Sequence, residues 1–164
     1  MLILTVGISG SGKSLFCKNK LLKPDDIYLS SDFCRSVLGK DESDQSVSHI
    51  VFPFLENAVR YFLKQDKNVI VDATFLTKKF RKNFIDIARS LNKKVTAYYF
   101  DVPIEICKER NAKRDRKVPE SVINRQFSKI VIPYLNEVDF LNVVNENGEL
   151  MAAGVLKYVE TNQI

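Results

Sequence analysis

The segment GISGSGKS, residues 7–14, could hold the phosphates of a nucleotide. It matches the pattern G-x-x-x-x-G-K-[ST], in which glycines let the backbone curl so that its N–H groups point at the ligand. Lys13 can reach the β- and γ-phosphates, and the Ser14 hydroxyl can bind Mg²⁺. ATP, or another nucleoside triphosphate, is therefore the expected phosphate donor, together with Mg²⁺. The residues expected to hold it are Gly7, Ser9, Gly10, Ser11, Gly12, Lys13 and Ser14.

The segment SSDFCR, residues 30–35, could hold the group that receives the phosphate. A carboxylate beside an attacking hydroxyl orients it and accepts its proton, and Asp32 could fill this role. Arg35 shares a helix face with Asp32 and could bind a phosphate that the substrate already carries. From spacing alone, Asp32 could equally cap the helix and pair only with Arg35. Ser30 or Ser31 is the expected N-cap.

A second basic segment, CKERNAKRDRK, could act on the transferred phosphoryl group. Arg110 and Arg114 are four residues apart, so we expect them on one face of a helix that acts as a lid. Guanidinium groups placed there would neutralise the charge that develops during transfer. The alternative is an exposed basic helix with no role in the site.

Three more residues are candidates for the site. Asp72 ends the apolar run in VIVDAT and could hold Mg²⁺ through water or bond to Ser14, or it could merely cap the strand. Thr74 ends the same segment and could contact the substrate. Gln45, in the polar loop GKDESDQ, could also contact the substrate or could simply terminate a helix.

Short apolar runs alternate with helical patterns along the chain, which predicts an α/β fold with a largely parallel sheet. In such sheets ligands bind at the carboxyl ends of the strands, where the candidate residues lie. The length of 164 residues fits one domain, residues 1–164. Five strands are expected within 2–6, 26–30, 68–74, 94–102 and 140–145. Helices are expected over 12–21, from residue 30, over 47–63 with Pro53 kinking or starting the helix, over 78–91, from Pro103 through the arginines, over 118–135 and over 149–160.

Composition narrows the functional classes. The net charge of +5 suits an anionic partner, although solvated basic faces at residues 78–82 and 108–117 would explain it equally. A single histidine, His49, argues against a histidine-based triad or a multi-histidine metal site. Three scattered cysteines favour a reduced, cytoplasmic protein. No apolar run reaches membrane-spanning length, and the N-terminus does not read as a signal peptide.

Taken together, GISGSGKS, SSDFCR, VIVDAT and ERNAKRDRKVPESVI resemble the kinase module of polynucleotide 5′-kinases. The likeness is greatest to the bacterial end-healing enzymes that also carry phosphatase and ligase modules, and it extends over about residues 2–145. The resemblance implies transfer of the ATP γ-phosphate to the 5′-hydroxyl end of RNA or DNA. It also implies that Asp32 engages the hydroxyl, that Arg35 grips a nearby nucleic-acid phosphate, and that Arg110 and Arg114 cover the donor. The implied fold is a P-loop phosphotransferase with an adenylate-kinase-like central sheet of about five strands.

The chain departs from the larger enzymes in two respects. It has no D-x-D-x-T segment of a phosphatase and no K-x-D-G segment of a ligase, which indicates a kinase module alone, either an isolated enzyme or a piece of a larger one, that could have a phosphatase or ligase partner on another chain. It also lacks an N-K-x-D segment, which argues against a GTPase. Two alternatives stay open: a kinase of a nucleoside or other small metabolite, and a nucleotide-binding regulatory module that transfers nothing.

Overall fold

The computed structural model describes residues 1–41 and 44–151. Its centre is a five-stranded sheet in the order β2-β3-β1-β4-β5, and every neighbouring pair is parallel. This confirms the predicted α/β fold with its parallel sheet. The strands are β1 (Leu2–Val6), β2 (Ile27–Ser30), β3 (Val69–Asp72), β4 (Val95–Phe100) and β5 (Phe140–Val144).

Helices connect the strands and cover the sheet. The described helices are α1 (Lys13–Phe16), which continues as a π-helical turn (Cys17–Leu21), α2 (Ser31–Leu38), a 3-10 turn (Gln45–Val47), α3 (Ser48–Lys64), α4 (Lys78–Ser90), α5 (Ile104–Ala112) and α6 (Glu120–Lys129). None of the described helices is long and apolar enough to cross a membrane.

The core explains why the strands read as continuous apolar runs. Strands β1 and β3 lie inside the sheet and are covered on both faces, so neither face can be polar. One apolar cluster joins both strands to α3 and α4. The α3 residues in this cluster recur at helical spacing and are fully buried: Val51, Leu55, Val59 and Leu63. A second apolar cluster packs α1, α5 and α6 beside the loop at residues 7–14. It includes Phe16, Phe100, Cys107 and Ile123.

Several helix boundaries differ from the sequence prediction. Pro53 lies inside α3, which begins at Ser48. Helix α5 stops at Ala112, so the prediction that Arg110 and Arg114 share a helix face is wrong: Arg114 lies in the bend that follows. The cause is Asn111, whose side chain bonds the N–H and C=O of Val118 at 2.9 and 2.8 Å and closes the intervening loop.

The C-terminal predictions also change. Helix α6 ends at Lys129 rather than near residue 135, because the Val131 N–H donates to the Leu76 carbonyl at 2.7 Å and draws the chain across the β3–α4 loop. Leu150 pairs antiparallel with Val144, so the helix expected over 149–160 does not begin at residue 149. Its remainder, 152–160, lies outside the described residues.

The basic segment at residues 78–82 is not wholly a solvated helix face. Arg81 is fully buried, and its Nε and Nη2 donate to the two carboxylate oxygens of Glu137 at 3.1 and 3.0 Å. Its Nη1 donates to the carbonyls of Phe75 at 3.0 Å and Val131 at 2.9 Å. Arg81 therefore ties α4 to the β3–α4 loop and to the segment that follows α6.

Candidate active site

The loop between β1 and α1 has the conformation of a phosphate cradle. Gly10 (φ +86°) and Gly12 (φ +94°) adopt left-handed backbone that glycine alone accepts readily. A Cβ at Gly10 would also lie 2.3 Å from the Cys107 carbonyl oxygen, so the loop packs directly on α5. The loop leads directly into the N-terminus of α1, which is the positive end of the helix.

Lys13 lies within this loop and is buried. Its Nζ donates to the Ile8 carbonyl at 2.7 Å and to the Ser11 hydroxyl at 3.4 Å. Burial lowers the pKa of Lys13, and the negative charges of Asp72 and Asp32 oppose that shift. A bound phosphate would supply the charge that this buried ammonium requires.

Asp72 ends β3 beside the phosphate loop, as the sequence predicts. Its carboxylate binds the side chain of Tyr28, which no sequence motif singled out. The Tyr28 hydroxyl donates to Asp72 Oδ2 at 2.5 Å, and Ser14 lies near the same hydroxyl. Burial and the bond to Asp72 raise the pKa of Tyr28. The Thr5 hydroxyl bonds Asp72 Oδ1 at 3.4 Å. Asp72 is thus a buried carboxylate, and the Tyr28 hydroxyl that it binds lies near Ser14.

These oxygen atoms fit a Mg²⁺ ion, which prefers hard oxygen ligands and keeps several of its waters. Ser14 and Asp72 are the residues that would hold it. Among the described residues no group of three or more His, Cys, Asp or Glu side chains could form an all-protein metal cage.

Asp32 and Arg35 lie together at the start of α2. The Ser30 hydroxyl accepts from the Phe33 N–H at 3.3 Å, which confirms the predicted N-cap. Arg35 donates to the Asp32 carboxylate and to the Ser31 hydroxyl. The side chain of Arg35 is 10% exposed and that of Asp32 is 54% exposed. The Asp32 carboxylate therefore faces the solvent, while the guanidinium that pairs with it is buried.

The two predicted arginines lie on different elements, and Arg110 borders the phosphate loop. Arg110, on α5, lies against Gly12: a Cβ on that glycine would be 3.8 Å from its Nη1. Its Nη2 donates to the Glu146 carbonyl at 2.5 Å. Arg114 lies after the helix, yet its positive charge contributes to lowering the pKa of Lys13. Arg110 therefore lies on the donor side, and the charge of Arg114 reaches Lys13 despite the early end of α5.

A cavity of about 290 Å³ opens beside the loop on the α1 side. Apolar side chains and the turn after β5 form much of its wall, and Arg110 closes one end. The wall includes Gly12, Leu15, Phe16, Phe100, Arg110 and Gly148. A space of this kind next to a phosphate cradle can take the base and sugar of a nucleotide. No sequence pattern indicated this wall, because residues 145–148 are far from the phosphate loop along the chain.

The remaining predicted residues occupy different positions. Thr74 is half-buried, and its carbonyl accepts from the Gly7 N–H at 3.1 Å, which ties the β3–α4 loop to the phosphate loop. Gln45 lies in the 3-10 turn before α3, and its side chain lies outside the described part of the structure. One contact was missed altogether: Gln126, on α6, accepts from the Ser9 N–H at 2.7 Å.

Comparisons with known proteins agree with the α/β fold. The AAA_33 family model, described as an AAA domain, matches residues 2–132. L-seryl-tRNA(Sec) kinase of Methanococcus maripaludis is 25% identical over 183 aligned residues, covering 98% of this chain and 69% of that enzyme.

Solved structures share the fold. A chain of the Pnkp1/Rnl/Hen1 RNA repair complex has a TM-score of 0.68 and 23% identity; the match covers 78% of this chain but only 43% of that one. A gluconokinase from Sinorhizobium meliloti 1021 has a TM-score of 0.63 and 15% identity, covering 96% of this chain and 87% of that enzyme. At these identities the likeness establishes the fold.

Proposed function

This chain belongs to the AAA_33 family of AAA domains, and on that premise we propose that it is a polynucleotide 5′-hydroxyl kinase. In this proposal it transfers the γ-phosphate of ATP to the 5′-hydroxyl end of RNA or DNA. The donor half rests on the phosphate cradle and the buried Lys13. The acceptor half rests on the pair formed by Asp32 and Arg35.

The single observation that carries the proposal is the geometry of this pair. Asp32 presents a half-exposed carboxylate, and its negative charge acts on the buried Lys13 ammonium. The Arg35 guanidinium donates a hydrogen bond to the Ser31 hydroxyl, and the Arg35 side chain is already buried away from water. A carboxylate for the attacking hydroxyl and a buried guanidinium for an adjacent phosphate suit an acceptor that carries its own phosphodiester.

Each side chain of the candidate site has one role in the proposed phosphoryl transfer. The substrate 5′-oxygen forms a bond to the γ-phosphorus as the bond to the β,γ-bridging oxygen breaks, and the hydroxyl proton passes to Asp32. Lys13, Arg110 and Arg114 stabilise the charge on the donor phosphates. Bound Mg²⁺ would neutralise further charge there, and Ser14 and Asp72 are its expected ligands.

The open acceptor side favours a polymer over a small metabolite. Phe33, next to Asp32, is exposed, and so are Lys78, Lys79 and Phe80 at the start of α4. Cations and aromatic rings in this combination suit a single-stranded end, through phosphate contacts and base stacking. The expected mark of such contacts is a steep fall in oligonucleotide affinity as salt rises, whereas a small neutral alcohol would show little salt dependence.

A second candidate is phosphorylation of a hydroxyl carried on an aminoacylated tRNA. It is favoured by the likeness to L-seryl-tRNA(Sec) kinase, which extends over 98% of this chain. The same pair could orient a seryl hydroxyl. A direct competition separates the two: phosphate should appear on a 5′-hydroxyl oligonucleotide under the first proposal, and on seryl-tRNA but not on the oligonucleotide under the second.

The same proposal also concerns the cellular compartment of the enzyme and its partner proteins. Cys17, Cys34 and Cys107 are all free and buried, which suits a reducing, cytoplasmic compartment. The fold neighbour in an RNA repair complex supports a search for a phosphatase or ligase partner on another chain. Co-purification of the tagged protein with such an enzyme would test this, and recovery of the kinase chain alone would count against it.

A further inference from the structure

The Tyr28 side chain contacts the expected magnesium ligand Asp72 from the neighbouring strand. Tyr28 lies in β2 and pairs in register with Ile70 of β3, and Asp72 follows Ile70 two residues later. Side chains two residues apart on a strand face the same side of the sheet, so Tyr28 and Asp72 share a face. The phenol reaches diagonally across the strand pair, and its hydroxyl donates to Asp72 Oδ2 at 2.5 Å. Tyr28 thereby links the edge strand β2 to the carboxylate that would hold Mg²⁺.

Tyr28 is the principal donor to this carboxylate among the described residues. The other hydroxyl close to it is that of Thr5, 3.4 Å from Asp72 Oδ1. A hydroxyl has a single hydrogen to donate, and the Thr5 oxygen is closer to the Ala73 carbonyl, at 2.9 Å. The Thr5 contact with Asp72 is therefore the weaker of the two. The orientation of the Asp72 carboxylate depends mainly on Tyr28.

The Tyr28 ring also contacts the helix that follows the phosphate loop. Lys18, in the π-helical turn that continues α1, has its ammonium 5.9 Å from the centre of the ring, which is within the range of a cation–π interaction. Ser14, in the first turn of α1, lies near the Tyr28 hydroxyl. One hydroxyl group is therefore close to both side chains that are expected to hold Mg²⁺.

An aspartate carboxylate has about four lone-pair positions, so the bond from Tyr28 leaves Asp72 able to bind a cation or a metal-bound water. Hydrogen bonds from such outer partners orient metal ligands and contribute to metal affinity. We propose that Tyr28 is a positioning residue of the magnesium site: its hydroxyl fixes the orientation of the Asp72 carboxylate for the ion. This inference rests on the proposed function for the presence of Mg²⁺ with the nucleotide. The competing account is a structural brace, in which Tyr28 only fastens β2 to β3.

Substitutions separate these two accounts. Tyr28→Phe removes the hydroxyl but keeps the ring, its place in β2 and its contact with Lys18. Tyr61→Phe is the matched control, because Tyr61 is exposed near the end of α3 and loses the same atom. Asp72→Asn, alone and combined with Tyr28→Phe, tests whether Tyr28 acts through Asp72. Thermal melting of each variant measures any loss of stability, which is the effect expected of a brace.

The measurement is calorimetric binding of AMP-PNP, a non-hydrolysable triphosphate, in Mg²⁺ and in EDTA. Tyr28→Phe should weaken binding in Mg²⁺ about tenfold, because loss of an outer partner of a metal ligand lowers metal affinity. Binding in EDTA should change less than about threefold, and Tyr61→Phe should match the wild type in both conditions. In the Asp72→Asn background, Tyr28→Phe should weaken binding in Mg²⁺ by less than about twofold more.

Equal weakening by Tyr28→Phe with and without Mg²⁺, or no weakening in Mg²⁺, would overturn the inference and favour the brace. An undiminished effect in the Asp72→Asn background would also refute it, since Tyr28 would then act independently of Asp72. No acceptor is present in this assay, so failure to phosphorylate nucleic acid would overturn the proposed function without changing this result. Absence of AMP-PNP binding by the wild type would contradict both.

Discussion

Replacement of Arg81 by methionine should destabilise the protein far more than its place in a basic surface segment suggests. The side chains of Arg81 and Glu137 are 0% and 3% exposed, and four N–H···O bonds leave the guanidinium. Methionine fills a similar volume but leaves the Glu137 carboxylate buried with one long bond, 3.3 Å from the Tyr134 N–H. Breaking one partner of a buried ion pair typically costs about 3–5 kcal/mol of unfolding free energy.

The assay is urea unfolding at pH 7, combined with thermal melting. For a domain of this size each kcal/mol lowers the melting temperature by about 2–4 °C, so the expected fall is roughly 6–20 °C. Lys82→Met is the matched control: its ion pair with Asp86 is 66% and 50% exposed, so its loss should cost under about 1 kcal/mol.

A double variant tests whether the pair is the cause. Arg81→Met with Glu137→Leu removes both charges and should be less destabilised than the sum of the single variants, because no uncompensated carboxylate remains. A loss below about 1 kcal/mol for Arg81→Met alone would refute the reasoning. It would mean that the buried pair does not support the β3–α4 loop and the segment after α6.

Further expectations concern the site and the sheet. Lys13→Ala should lower kcat about 100- to 1,000-fold in a label-transfer assay while the melting temperature stays near that of the wild type. Arg35→Gln should raise KM for a 5′-hydroxyl oligonucleotide and reduce the slope of log affinity against log salt by about 1; an unchanged slope would remove Arg35 from the acceptor site. Hydrogen bonds from Lys94 and the Val95 N–H lower the pKa of Asp139. Its contribution to stability is therefore present above the unfolded-state pKa of about 3.9 and is lost as pH falls through the folded-state value. Asp139→Asn should be less stable than the wild type in urea at pH 7, and the difference should shrink as the pH is lowered below about 4; a difference that grows in acid would contradict this.

Local patterns predicted the parts of the fold that depend on neighbours in sequence. Continuous apolar runs located β1 and β3, and the glycine-rich loop identified the phosphate cradle. The short spacing of Asp32 and Arg35 predicted that they share a face of α2, and Ser30 is one of the two expected caps. In each case the interacting groups are within a few residues of one another, so propensity and spacing contain the information.

Contacts between distant segments were not predictable. Gln126 and Ser9 are 117 residues apart, and Arg81 and Glu137 are 56 apart. In sequence Arg81 is one of four basic residues in KKFRK, and nothing there separates the buried one from its exposed neighbours. The early end of α5 has the same origin, because Asn111 closes on the backbone of Val118.

The most direct test of the account is label transfer from γ-labelled ATP, with Mg²⁺, to 5′-hydroxyl RNA and DNA oligonucleotides by the wild type and by Asp32→Asn. The account predicts transfer to the 5′ end by the wild type. It predicts a kcat lower by about 100- to 10,000-fold for Asp32→Asn, with ATP affinity unchanged because the donor side is intact. Absence of transfer to either polymer by a wild-type protein that binds ATP would contradict the central claim, as would a near wild-type kcat for Asp32→Asn.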